Sequence, residues 1–188
     1  PFSVTSTLPS IMNGGKDFSP WSKIDDLLYQ TMRIPVEAVL GKDGVGLADC
    51  AIAESKFEKG EDISGRILLL VSQLGEVQKK GTPDIEFAMV GLLARSQIAL
   101  GRAEDALRTV QMARERFEEN GHTRFFHNID AVLCRIWLHM DDLERVQVWY
   151  REKAPKDPLH LNVLKRYQYL TQAMAELALG MPDAALLT

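Results

Sequence analysis

The chain has 188 residues, 46% of them hydrophobic and 26% charged, with a formal net charge of −4. That length allows one compact domain or several stacked repeats, and with no long uninterrupted apolar run the chain reads as soluble, without a transmembrane span. The charge is scattered rather than gathered into a basic stripe, which argues against direct nucleic-acid contact; Pro1-Phe2-Ser3-Val4-Thr5 opens no export signal, so a cytoplasmic home is expected.

In chain order, residues 1–20 are rich in Ser, Thr, Pro and Gly, with Asn13-Gly14-Gly15 and Ser19-Pro20 as breakers, and read as a loop or docking segment. Residues 21–44 read as leading helices. Ile24, Leu27, Leu28 and Met32 fall at helical intervals, and Pro35 suits the first turn of a short helix running toward Gly41. Lys42-Asp43-Gly44-Val45-Gly46 breaks that helix. From residue 45 to 188 the spacing predicts paired helices: Leu47 to Lys59 with Ile63 to Lys80, Asp84 to Leu100 with Ala103 to Glu119, and Thr123 to Met140 with Asp142 to Lys153. Pro158 to Leu179 opens a fourth pair, whose partner begins at Pro182 and is cut at Thr188.

The pairs keep a beat. Gly60, Gly101, Asp141 and Gly180 recur at intervals of 41, 40 and 39 residues, the mark of a helical repeat array. Seven residues before each stand the small side chains Ala53, Ala94, Cys134 and Ala173; five after each stand Gly65, Ala106, Val146 and Ala185. Two antiparallel helices joined by a tight turn approach closely only where small residues meet, and a larger neighbour fills the rest of the groove. Phe57, Ile98, Leu138 and Leu177, three places before each turn, are that neighbour. Cys50 and Cys134 sit in helical apolar contexts without metal-ligand spacing and read as reduced packing residues.

A small residue, a turn and another small residue five places on resemble the tetratricopeptide repeat, in a unit longer than that family's own. Ala99-Leu100-Gly101-Arg102-Ala103-Glu104-Asp105-Ala106-Leu107, echoed by Ala178-Leu179-Gly180-Met181-Pro182-Asp183-Ala184-Ala185-Leu186, is similar to the effector-binding superhelix of MalT-like regulators in the LuxR family. Asp141-Asp142-Leu143-Glu144-Arg145-Val146 fits the same turn, and Pro9 to Ser19 resembles the segment these proteins carry ahead of their repeats. The resemblance implies an all-α, right-handed superhelix of stacked antiparallel helix pairs. It also implies a parent protein with a nucleotide-binding switch domain and a helix-turn-helix domain, neither of which lies in this chain. The expected role is sensing: a small inducer or partner protein bound in the concave groove. The alternative is a free-standing scaffold that binds peptides or proteins and is unrelated to transcription.

In such a superhelix the first helix of each pair lines the concave face, with positions thirteen, ten and six before each turn pointing inward. Glu54, Arg95 and Arg135 are then expected to form a ladder of charges suited to an anionic ligand, a peptide or a sugar. Asn128 and Tyr167 stand thirteen before their turns, and His139 belongs to an aromatic and histidine group suited to sugar stacking. These six residues are the expected ligand-binding set. Trp137 and Trp149 are expected to pack together. His127 and His139 are twelve residues apart, too far for a helical metal pair, and no cofactor is expected. Asp25-Asp26, Glu61-Asp62, Glu118-Glu119 and Asp141-Asp142 are adjacent pairs whose members point about 100° apart on a helix, so none presents two carboxylates to one substrate; no catalytic residue is expected. Apolar surface at the truncated end favours self-association.

Overall fold

The computed structural model describes residues 31, 34–60, 63–155 and 165–188. The expected loop over 1–20 and most of the leading helix over 21–32 lie outside the described residues. Every regular element among the described residues is helical, and no strand occurs among them. No described helix is long and apolar enough to cross a membrane. The chain divides into two compact units, Pro1–Leu100 and Gly101–Thr188.

In the first unit, residues 34–40 are helical and lead through a 3₁₀ turn, Gly41–Asp43, into α1 (Leu47–Glu58), α2 (Ile63–Lys80) and α3 (Pro83–Ala99). Gly46 enters α1 with φ 79°, and a Cβ there would run into buried Val77 and sit 3.2 Å from Met89, so both backbone and space demand glycine. Thr82 is extended and Pro83 opens α3, where its fixed φ suits the first turn and its missing N–H is not needed. Lys79 and Lys80 end α2 while Asp84 and Glu86 begin α3, each charge placed against the opposing helix-dipole end. α1 packs on both α2 and α3. Cys50, Ala53, Ile67, Leu70, Val77, Met89, Leu92 and Leu93 form their shared core.

The second unit holds α4 (Ala103–Glu119), a 3₁₀ turn (Thr123–Phe125), α5 (Phe126–His139), α6 (Leu143–Glu152), α7 (Arg166–Ala178) and α8 (Pro182–Leu187). The single helix expected from Thr123 therefore begins as a 3₁₀ turn, whose Phe125 packs its ring 5.0 Å from Phe117 on α4. α5 packs on α4, α6 and α7, and α7 carries α8. Ala131, Cys134, Val146, Trp149, Ala154 and Ala175 form the core, with Trp137 against it, so the two tryptophans pack into one cluster.

The four turn residues share one backbone state: φ is 69° at Gly60, 72° at Gly101, 58° at Asp141 and 76° at Gly180. After α5 and α7 the turn closes identically, with Asp142 N donating to Trp137 O at 2.9 Å and Met181 N donating to Glu176 O at 2.8 Å. These six-residue closures satisfy carbonyls that the helix end would leave open. Asp142 then caps α6, its Oδ1 accepting from Arg145 N at 3.1 Å. Ala53, Ala94 and Cys134 are fully buried, as are Ala106 and Val146. In the fourth period Ala173 and Ala185 are half-buried and Leu177 is 60% exposed.

Candidate functional site

The first helices of the pairs carry the expected binding residues, and in each unit an arginine joins two such helices. In the first unit Arg95, on α3, reaches α1: Nη1 lies 3.2 Å from Glu54 Oε1, and Nη2 lies 3.5 Å from Glu58 Oε1. Its guanidinium carbon stands 4.0 Å over the Phe57 ring. Glu54 and Glu58 are one helical turn apart with Phe57 between them, so the planar cation meets both carboxylates while covering the ring. Glu54, expected in a ladder of charges with Arg95 and Arg135, thus pairs with Arg95 and offsets its charge within the first unit.

In the second unit Arg135, on α5, reaches α7. Nε donates to Thr171 Oγ1 at 2.8 Å, Nη2 donates to Tyr167 O at 3.5 Å, and the guanidinium carbon lies 3.9 Å over the Tyr167 ring. Thr171 is fully buried, and its hydroxyl donates to Tyr167 O at 2.8 Å. Beside this cluster Gln168 Nε2 donates to Asn128 Oδ1 at 2.9 Å, again from α7 to α5. Asn128, Arg135 and Tyr167 thus gather along one α5–α7 seam. His139 is exposed at the end of α5 and is not joined to it. Each arginine combines an apolar ring beneath, polar partners at its edge and partial exposure, an arrangement able to take a planar or hydroxylated ligand edge-on.

Behind the seam Asp130, buried on α5, lies 2.9 Å from Lys153 Nζ and 3.4 Å from Arg114 Nε. This buried carboxylate ties α4 and the end of α6 to α5. Both cysteines are buried free thiols, and burial pushes each up to about 12; the neighbouring carboxylates of Asp49 and Glu54 add to the effect at Cys50. Neither is poised as a nucleophile. Among the described residues no group of three His, Cys, Asp or Glu side chains is assembled to hold a metal ion.

A concave feature apart from these seams was not anticipated from sequence. Tyr150, Tyr169, Gln172, Glu176, Ala184 and Thr188 border an open cavity of about 490 Å³ formed by α6, α7 and α8. Glu176 is 1% exposed; its Oε1 accepts from Gln172 Nε2 at 2.8 Å and its Oε2 from the Thr188 hydroxyl at 2.8 Å. Burial, with the Glu176 carboxylate as a hydrogen-bonding and charged neighbour, pushes the Tyr150 phenol above its ordinary range. Gln172 and Glu176 at i and i+4 are the local trace of this site; Tyr150 and Thr188 join it only through the packing of α6 and α8. No protein-family model, curated protein or solved structure matches the chain.

Proposed function

We propose that this chain is a tetratricopeptide-like sensing and protein-interaction segment of a MalT-like, LuxR-family transcriptional regulator, not an enzyme. Its paired helices would stack into a right-handed superhelix over residues 45–188, with a small inducer or a partner protein bound along the face shared by the first helices. One observation carries the reading: four turns at a beat of 41, 40 and 39 residues all adopt the left-handed conformation. A backbone state repeated at one period is what a helical array requires. The arginine seams support it as well, since in each unit the arginine six residues before its turn bridges one first helix to another, α3 to α1 and α5 to α7.

Binding at those seams would use Arg135, Tyr167 and Asn128 in the second unit and Arg95 in the first, while DNA contact and nucleotide hydrolysis would belong to other domains of a cytoplasmic parent protein. A thermal-shift screen against sugars, amino acids, nucleotides and aromatic acids tests it, because a ligand that prefers the folded state raises its stability. A stabilising small molecule that perturbs the NMR signals of Asn128, Arg135 and Tyr167 supports the sensor. Binding of extended peptides alone, with no small-molecule hit, transfers the array to the free-standing scaffold.

A further inference from the structure

The cavity between α6, α7 and α8 has its own chemistry, separate from the arginine seams and independent of the regulator reading. Glu176 lies on its floor, and the groups that meet this carboxylate are neutral: the Gln172 amide, the Thr188 hydroxyl and the Tyr150 phenol. No lysine, arginine or histidine among the described residues pairs with it. Gln172 Oε1, also buried, has no hydrogen-bond donor. Gln172 Oε1 therefore lacks a donor, and the Glu176 carboxylate, hydrogen-bonded at both oxygens, lacks a positive partner among the described residues; burial makes both deficits costly. The walls above are aromatic and apolar, from Tyr150, Tyr169, Ala154 and Leu187. Arg151 stands at the rim, but its Nη2 lies 2.9 Å from Glu152, so its charge is offset there.

We propose that this cavity binds a small primary amine with a compact apolar or aromatic body, its ammonium taken by Glu176 and Gln172 Oε1 and its body held against Tyr150 and Tyr169. Because Glu176 is 1% exposed, the amine reaches it by turning the half-exposed Thr188 hydroxyl aside. That step exchanges a hydroxyl donor for a charge-assisted one, the stronger of the two. A body of one ring fits a volume of about 490 Å³ with room to spare.

The test is an NMR titration of the protein at neutral pH with benzylamine, against benzyl alcohol as the neutral isostere and benzoate as the opposite charge. The expected result is movement of the backbone signals of Tyr150, Gln172, Glu176 and Thr188 with benzylamine at millimolar concentration, with the alcohol about tenfold weaker or more and benzoate inert, the ratio set by a charge pair worth about 1.4 kcal/mol. Glu176→Gln, which keeps the shape and removes the charge, should erase the preference for the amine. Ala184→Leu, from the opposite wall, should block all three compounds, and it carries the test if E176Q lowers the melting temperature. Equal binding of amine and alcohol, no movement with the amine, a preference for the amine that survives E176Q, or amine binding that survives A184L would each overturn the proposal. An amine response confined to these four residues, with Asn128 and Arg135 unmoved, separates this cavity from the first-helix seam.

Discussion

Asp141 shows what the 40-residue beat demands of a single residue. It holds φ at 58°, the conformation glycine takes at the other three turns. Aspartate tolerates this state better than branched or bulky side chains do. Asp141→Val should therefore lower the unfolding free energy by about 1–2 kcal/mol while Asp141→Gly lowers it little or not at all, read by urea denaturation. Ala106 is fully buried at a position where the spacing demands a small side chain. Ala106→Leu overfills it and should cost about 1–3 kcal/mol; an unchanged melting curve would contradict the tight crossing. The two buried thiols make a pH prediction. Their folded pKa values of about 12 exceed the unfolded value near 9, so the neutral form is favoured by folding. The contribution is complete below about pH 9 and is lost as pH rises toward 12, so the native protein should resist alkylation at pH 8 and Cys134→Ala should flatten the alkaline fall in stability.

At the scale of elements, polar side chains decide which helix faces meet, and burial ranks their worth. The Arg95–Glu54 pair is about 40% exposed on both sides, so water screens it and Arg95→Met should cost under about 1 kcal/mol. Asp130 is 7% exposed and holds both Arg114 and Lys153. Asp130→Ala should cost about 1–3 kcal/mol, because hydrogen bonds to a buried charged group are lost; urea midpoints in the reverse order would contradict this ranking. The helix limits were nearly complete in the one-dimensional pattern. α2 and α4 run over the expected residues, α1 differs from expectation by one residue at its end, and α3 and α6 differ by one residue at both ends; the start expected for α7 at Pro158 lies outside the described residues. The start of α5 was not legible, because a 3₁₀ turn and an α-helix share the same residue preferences over one turn, and only the Phe117–Phe125 packing sets where one becomes the other.

For the whole molecule, the chain contains two units, each with its own buried cluster. Residues 101–188 expressed alone should retain helical circular dichroism and a cooperative thermal transition reported by Trp149, which is buried in that unit; a gradual, non-cooperative melt would refute an independent core. That the described residues are helical was determined by the sequence itself: apolar residues at helical spacing, turn residues at a beat near 40 and small side chains flanking them are all local or periodic signals. The tertiary structure alone decided that Arg95 would meet Glu54 and Glu58, that Arg135 would cover Tyr167, and that Tyr150, Gln172, Glu176 and Thr188 would border one open cavity. The physical reason is that a helix's periodicity fixes which residues share a face, whereas the partner of that face depends on the rotation and offset of a neighbouring helix. Those are set by packing summed over many side chains, and no local spacing records them.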